Sequence, residues 1–399
     1  MIRPANRLAK VSFSASALMT AKARKLAEEG AHVISLAQGE PDFSTPRHVI
    51  EAAYRAALAG DTRYPAAPGS AALRKAIRAK FLRENGLDYA LDEILVSAGG
   101  KQVIHSAFMA TIDEGDEVIL PAPYWVSYPD MIKLAGGVPV LVPCPRERGF
   151  VLDPAGLEAA ITPRTRWVVL NFPNNPSGAA CSQETMHEIA QILLRYPDVL
   201  VISDDMYEHL VYDGAFRTIA QVEPLLRDRV LTVNGVSKTY AMTGWRIGYA
   251  GGPRALIAAM NTMQSMSMIG VCTVAQAAAI AALEGPQDFL SEWKEIYRGR
   301  RNLMLQLLRD ASTLAYHKPD GAFYLYADVS GCLGKTTPTG KRLDNDADVA
   351  MALLDEQHVA VVQGEAYGLS PFIRLSYATD DESLIEGCRR IVAFCNSLK

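Results

Sequence analysis

A lysine that follows an apolar strand and precedes a glycine-rich apolar run is placed to act as a nucleophile. Lys238 is such a residue, with VLTVNGVS before it and AMTGWRIGY after it. Most lysines after strands are solvated surface residues whose amines stay protonated. Surroundings this apolar desolvate the amine, lower its pKa and free its lone pair for attack on a carbonyl carbon. Eight residues on, Arg246 supplies a rigid fork of donors suited to phosphate.

Positioning such groups requires a scaffold, and the hydrophobic pattern predicts one. Short β-rich runs recur at 94–97, 117–120, 138–142, 166–171, 198–203, 229–233 and 246–250, with helix-length segments such as 101–112, 154–160 and 182–195 between most of them. Continuous apolar strands alternating with helices predict an α/β fold whose mainly parallel, seven-stranded sheet is covered on both faces. Polar clusters end four of these runs: Gly99-Gly100-Lys101, Asn171 to Pro176, Asp204-Asp205-Met206-Tyr207 and Ser237-Lys238. Ligands of open α/β sheets sit beyond the carboxyl ends of the strands, so the four clusters predict one composite site. Each alone is ordinary turn chemistry; their chemical fit to one ligand favours the shared site. Pyridoxal phosphate (PLP) is the cofactor that exploits an amine's attack on an aldehyde. The turn Gly99-Gly100-Lys101-Gln102 would present backbone N–H groups and a helix dipole, forming a phosphate cup with Ser237 and Arg246. It is neither GxGxxG nor a Walker motif, which disfavours dinucleotides and ATP.

From about residue 286 the pattern changes to a smaller α+β unit. A helix near 288–311 is followed by strands at 322–329, 359–362 and 372–377 and a closing helix at 381–398. Segment 334–346 reads as a surface loop. The first 46 residues, with a helix near 16–29, are expected to pack on the smaller unit or across the cleft. The expected division is 47–285 for a large cofactor-binding domain, and 1–46 with 286–399 for a small one.

The chain's 399 residues exceed what a single core sustains, about 250–300. Usage of 49% hydrophobic and 21% charged residues excludes a disordered or low-complexity chain. Lys+Arg 40 against Asp+Glu 44 leaves no basic excess for nucleic acid. Cysteines 144, 181, 272, 332, 388 and 395 form no CxxC pair and adjoin no histidine cluster. No disulfide framework or metal site is expected, and a reducing, cytoplasmic setting fits. Residues 255–283 carry no charge, but Asn261, Gln264, Gly270 and Gln276 interrupt them. Two buried helices breaking near Gly270 are expected there rather than a membrane span. The N-terminus lacks a signal-peptide core; being acid-poor up to Glu28, it leaves a transit peptide as the alternative.

SKTYAMTGWRIGY closely resembles the PLP-lysine segment of class I aminotransferases. NPSG, SDDMYEHLVY and FIRLSYA resemble their other signature segments, in order, from GEPDF near the start to Arg374 near the end. The likeness is greatest to bacterial aspartate-aminotransferase-type enzymes and their aromatic or prephenate-using relatives.

That resemblance implies roles. Lys238 would form the Schiff base and carry a proton between the substrate α-carbon and the cofactor C4′. Asp204 would pair with the pyridine nitrogen, although alone it reads as a helix N-cap and Asp205 competes with it. Tyr207 and Asn175 would hydrogen-bond O3′, Tyr207 being otherwise a plain core aromatic. Trp125 would stack on the ring, with Tyr124 the runner-up. Gly100, Lys101, Gln102, Ser237 and Arg246 would hold the cofactor's phosphate end. Tyr64 would reach the phosphate of a neighbouring subunit in a homodimer with shared sites. Arg374, costly in an apolar strand unless paired, would bind the α-carboxylate while the Gly39 backbone closes over it. Trp125 and Asn175 would also meet the substrate, and Lys101, helped by Ser14 and Ser16, would meet an acidic tail.

One departure stands out. Met266 to Thr273 carries Met, Ile and Val where relatives carry Ser, Thr or Asn. Either the pocket is more apolar and favours aromatic or aliphatic substrates, or these residues pack a helix start. The implied activity is ping-pong amino transfer between an L-amino acid of aspartate or aromatic type and a 2-oxo acid such as 2-oxoglutarate. Its rivals are a PLP-dependent lyase and a non-catalytic PLP-binding regulator, for which no basic DNA-binding segment is visible.

Overall fold

The computed structural model describes residues 2–11 and 15–399, with Ala15 and Ser16 as backbone only. Seven strands form the large sheet in the order Ile94–Ser97, Gly248–Gly251, Val230–Gly235, Leu200–Asp204, Thr165–Leu170, Glu117–Ala122, Val138–Pro143. Alternation of side chains along these strands sorts them onto two cores. Ile94, Val96, Ile119, Val168, Leu170, Val201 and Tyr249 face one core, with helices Arg47–Leu58, Ala71–Lys80, Gln183–Leu194 and Thr273–Glu284 over it. Leu95, Val118, Leu120, Trp167, Val169, Ile202 and Ala250 face the other, under helices Gly100–Thr111, Tyr128–Leu134 and Arg254–Ser267. Burial on both faces explains why the runs are continuously apolar; each fully buried Val, Leu or Ile contributes roughly 1.5–3 kcal/mol.

The pairings are parallel except at Gly248–Gly251, which runs antiparallel to both neighbours. The expected strand at 246–250 therefore starts two residues late. Arg246 lies before it, at φ +57° after the turn Thr243–Trp245. Because this strand is reversed, its beginning rather than its end meets the carboxyl edge, and that reversal delivers Arg246 to the site.

The smaller sheet is antiparallel, in the order Val362–Gln363, Phe372–Ser376, Tyr324–Asp328, Ala315–Tyr316. The single strand expected at 359–362 is split in two. Val359–Ala360 pairs in parallel with Ile34–Ser35, while Val362–Gln363 joins the four-stranded sheet. The break at Val361 separates halves that serve different partners, and the first half ties the N-terminal segment to the C-terminal unit. The helix expected over 288–311 ends at Leu307 and tightens into the turn Leu308–Asp310. The uncharged stretch forms the two helices Arg254–Ser267 and Thr273–Glu284. Among the described residues no helix is long and apolar enough to cross a membrane.

Candidate active site

The polar strand ends meet around one cavity of about 680 Å³, lined by Gly100, Lys101, Trp125, Asn175, Asp204, Tyr207, Ser237, Lys238, Arg246 and Arg374, with Gly39 and Glu40 closing one side. Lys238 follows strand Val230–Gly235 and donates its Nζ–H to the carbonyl of Gly39. Burial lowers its pKa to about 8, with Arg374 and Arg246 adding to the fall and Glu40 and Asp204 opposing it. An amine so placed is available near neutrality.

Asp204 ends strand Leu200–Asp204 and is 6% exposed. Its Oδ2 accepts a hydrogen bond from Tyr128 Oη at 2.5 Å, and its backbone carbonyl accepts one from Asn171 Nδ2 at 2.9 Å. Burial raises its pKa to about 6 against the pull of the Tyr128 hydrogen bond. Asp205, the competitor, points elsewhere: Oδ1 accepts from Ser203 Oγ, and burial pushes its pKa well up against the pull of Ser203. It does not line the cavity, whereas Asp204 does.

The remaining charged groups of the lining are cations apart from Glu40. Arg374 is 3% exposed in the middle of strand Phe372–Ser376. It donates to Asn175 Oδ1 (3.0 Å) and to the carbonyl of Ala37 (2.6 Å), and its guanidinium lies 4.5 Å from the Tyr324 ring centroid. Its Nε has no partner, and no carboxylate lies in ion-pair range among the described residues. A buried cation left in this state calls for an external anion. Arg246 donates to the carbonyls of Thr243 (2.7 Å) and Ala98 (3.1 Å). Gly99, at φ +91°, passes so close that any side chain there would strike this guanidinium. Lys101, in the first turn of helix Gly100–Thr111, holds its ammonium 5.1 Å from the Trp125 ring centroid; burial and Arg246 lower its pKa.

Residues 31–391 match the family described as aminotransferase class I and II. The chain belongs to that family. It is 53% identical to an aspartate/prephenate aminotransferase of Cereibacter sphaeroides, covering 98% of each chain. With an aspartate aminotransferase of Rhizobium meliloti it shares 52% identity over 99% of this chain and 97% of the relative. A crystal structure of the aspartate aminotransferase from Rhizobium meliloti superposes with a TM-score of 0.97 at 52% identity, each chain covered completely. The Thermus thermophilus aspartate aminotransferase with maleate gives a TM-score of 0.92 at 41% identity, covering 99% of this chain and 100% of that one. The protein is a PLP-dependent aminotransferase that moves an amino group between an amino acid and a 2-oxo acid. Elimination and regulatory binding fall away as primary readings.

The donor set of the aminotransferase cavity fits this cofactor: an amine for the aldehyde, a buried carboxylate for the ring nitrogen, and a guanidinium beside a helix N-terminus for the phosphate. One expected contact is placed otherwise. Gln102 donates its Nε2–H to Ser106 Oγ and its backbone N–H to Gly99, and it does not line the cavity. Tyr64, expected to act on a neighbouring subunit, is 85% exposed and outside this chain's own lining. Tyr124 packs against Gly368, leaving Trp125 as the aromatic in the cavity. Ser14 lies outside the described residues, as does the side chain of Ser16. The stretch 266–273 divides: Val271 is buried in the core at the start of helix Thr273–Glu284, with Met268 packed against that core, as the packing expectation had it. Met266 and Ile269 are exposed, while Met268, Val271 and Cys272 line an adjoining hollow of about 640 Å³ beside Trp245 and Arg246.

Sequence reasoning missed Tyr128, Asn171 and Tyr324. Tyr324 Oη lies 2.9 Å from Tyr207 Oη and comes from the other sheet, which no local pattern announces. Asn171 stood inside a quoted cluster, yet its work is to hold strand ends together: Oδ1 accepts from the Asn175 N–H while Nδ2 reaches Asp204. Tyr128 follows Trp125 by three residues in PAPYWVSYP, a spacing that becomes informative only once a turn is known there. Behind the site Glu84, Glu208 and His209 cluster, with the Lys80 ammonium already among them.

Proposed function

We propose that the aminotransferase takes a dicarboxylic amino donor of the aspartate type, accepts aromatic donors as well, and returns the amino group to a 2-oxo acid such as 2-oxoglutarate in a ping-pong cycle. The observation that carries this is that, beyond the Arg246 and Lys238 assigned to the cofactor, two further cavity cations, Arg374 and Lys101, form no ion pair with a carboxylate among the described residues. The names of the relatives, aspartate and aspartate/prephenate aminotransferases, support it. Bound PLP supplies an aldehyde that captures amines and an electron-withdrawing ring.

The chain's residues do the remainder. Lys238 would hold the aldehyde at rest and, once released, would move a proton between the substrate α-carbon and C4′. Asp204 would keep the ring nitrogen protonated. Tyr207 and Asn175 would donate to O3′. Ser237, Arg246 and the backbone N–H groups at Gly100 and Lys101 would hold the phosphate end, leaving the Lys101 ammonium for the substrate, and Trp125 would cover the ring. Arg374 grips the α-carboxylate, and closing of the Gly39-Glu40 segment excludes water and strengthens these charges. Glu40 Oε2, which accepts from Thr243 Oγ1 at 2.7 Å, latches that segment to the turn bearing Arg246.

A panel of amino donors scored as kcat/KM tests the specificity. Aspartate and glutamate should exceed alanine, with phenylalanine measurably active. Lys101→Ala should lower kcat/KM for aspartate by about 10-fold and for phenylalanine by less than about 3-fold. Equal losses for both would remove Lys101 as the distal partner.

The same proposal includes the division at residues 47–285, a cytoplasmic setting consistent with six free thiols, and a homodimer. Tyr64, Met266 and Ile269 are exposed apolar residues on neighbouring segments, since Gly270 packs on Pro65 and Ala66. Exposed apolar residues clustered in this way mark a contact surface. A monomer by analytical ultracentrifugation at micromolar concentration would remove the shared-site part.

A further inference from the structure

We propose that Tyr128 is a positioning residue whose phenol holds the Asp204 carboxylate in its charged, cavity-facing form, and so keeps the ring proton of bound cofactor on the nitrogen. The inference rests on the reading that Asp204 meets that nitrogen.

Tyr128 begins helix Tyr128–Leu134 and is 1% exposed. Its hydroxyl lies 2.5 Å from Asp204 Oδ2, the length of an O–H···O⁻ bond to a charged acceptor. The other oxygen, Oδ1, receives among the described residues only a long contact from the Met206 N–H at 3.4 Å, so acceptor capacity remains on that side. The phenol ring meets Trp125 edge to face, centroids 5.3 Å apart at 85°, and the Tyr128 N–H bonds the Trp125 carbonyl. One short turn thus fixes both the aromatic over the cavity and the carboxylate at its floor.

The chemistry explains why a phenol suits this place. Asp204 is buried at the cavity floor, and a buried carboxylate tends to pick up a proton. A cationic donor would restrain it but would also compete with a protonated ring nitrogen for the same charge. A neutral hydroxyl lowers the carboxylate's proton affinity without adding a charge. Lys238, Tyr207 and Asp205 are the other titratable groups acting near Asp204 and Tyr128.

Tyr128→Phe keeps the ring packing and removes only the hydroxyl. The protein loaded with nitrogen-15-labelled PLP is compared by NMR and kinetics as wild type, Tyr128→Phe, Asp204→Asn and the double variant. Tyr128→Phe should move the pyridine resonance toward its unprotonated position and lower kcat by about 10-fold, with the KM for aspartate changing less than about 2-fold. In the Asp204→Asn background it should add nothing. A wild-type resonance and kcat in Tyr128→Phe, beside clear changes in Asp204→Asn, would overturn the inference alone. Equal losses in both backgrounds would show packing only and overturn it too. An unchanged resonance in Asp204→Asn would instead sink the reading of Asp204 itself.

Discussion

Lys238→Ala is expected to reduce kcat by at least about 10⁴-fold, because one side chain supplies both the nucleophile and the proton carrier. The fold should survive. Among the described residues the Lys238 amine bonds only the Gly39 carbonyl, and burying it lowers its pKa to about 8, so ionised lysine here costs stability rather than adding it. The variant should still bind the phosphate end of the cofactor through Arg246, Ser237 and the turn at Gly100, more weakly and reversibly. Depression of the lysine pKa gives the wild type a pH signature. The reactive form is the neutral amine, so the rate of cofactor loading should rise with pH up to about 8 and level off above it. An ordinary lysine, with a pKa of about 10.4, would keep rising beyond that. Stopped-flow absorbance of the cofactor-free protein mixed with PLP reads both quantities.

Arg374→Met should lower kcat/KM by about 10²–10³-fold for acidic and aromatic donors alike, since every amino acid offers an α-carboxylate. Uniformity sets it apart from Lys101→Ala, whose effect follows the donor's side chain. Stability should move little. Among the described residues the buried guanidinium has no counter-ion and its Nε no partner, so exchanging it for an apolar side chain of similar reach removes a desolvated charge. Against that gain, Asn175 Oδ1 and the Ala37 carbonyl lose a donor, worth about 1–3 kcal/mol each when buried. Near-cancellation predicts a Tm within a few degrees of wild type alongside a collapse in activity. A large drop in Tm with normal kcat/KM would instead make Arg374 a structural residue. Arg374→Lys should recover little, because an ammonium cannot reproduce the two-pronged grip.

The sheet was legible because its strands are buried on both faces and end in polar clusters that nothing in a core would tolerate. Reversal of Gly248–Gly251 was not, since an apolar run reads the same in either direction. Nor was the split at Val361, where two-residue strands carry too little pattern to declare separate partners. In the site, residues adjacent to strand ends were readable, and Lys238, Asp204, Asn175, Trp125 and Arg374 do line one cavity. Those that act across the fold were not: Tyr324 reaches Tyr207 over 117 positions, and Tyr128 reaches Asp204 over 76. Gln102 misled because its amide satisfies Ser106 within its own helix. For the stretch 266–273, choosing between pocket and core omitted exposed surface, the environment that Met266 and Ile269 occupy.

Borohydride treatment of the PLP-loaded protein, followed by peptide mass mapping, tests the central claim most directly. The account predicts a single stable phosphopyridoxyl adduct on Lys238, with loss of the visible absorbance in proportion. An adduct on Lys101 or another lysine, with Lys238 unmodified, would contradict it.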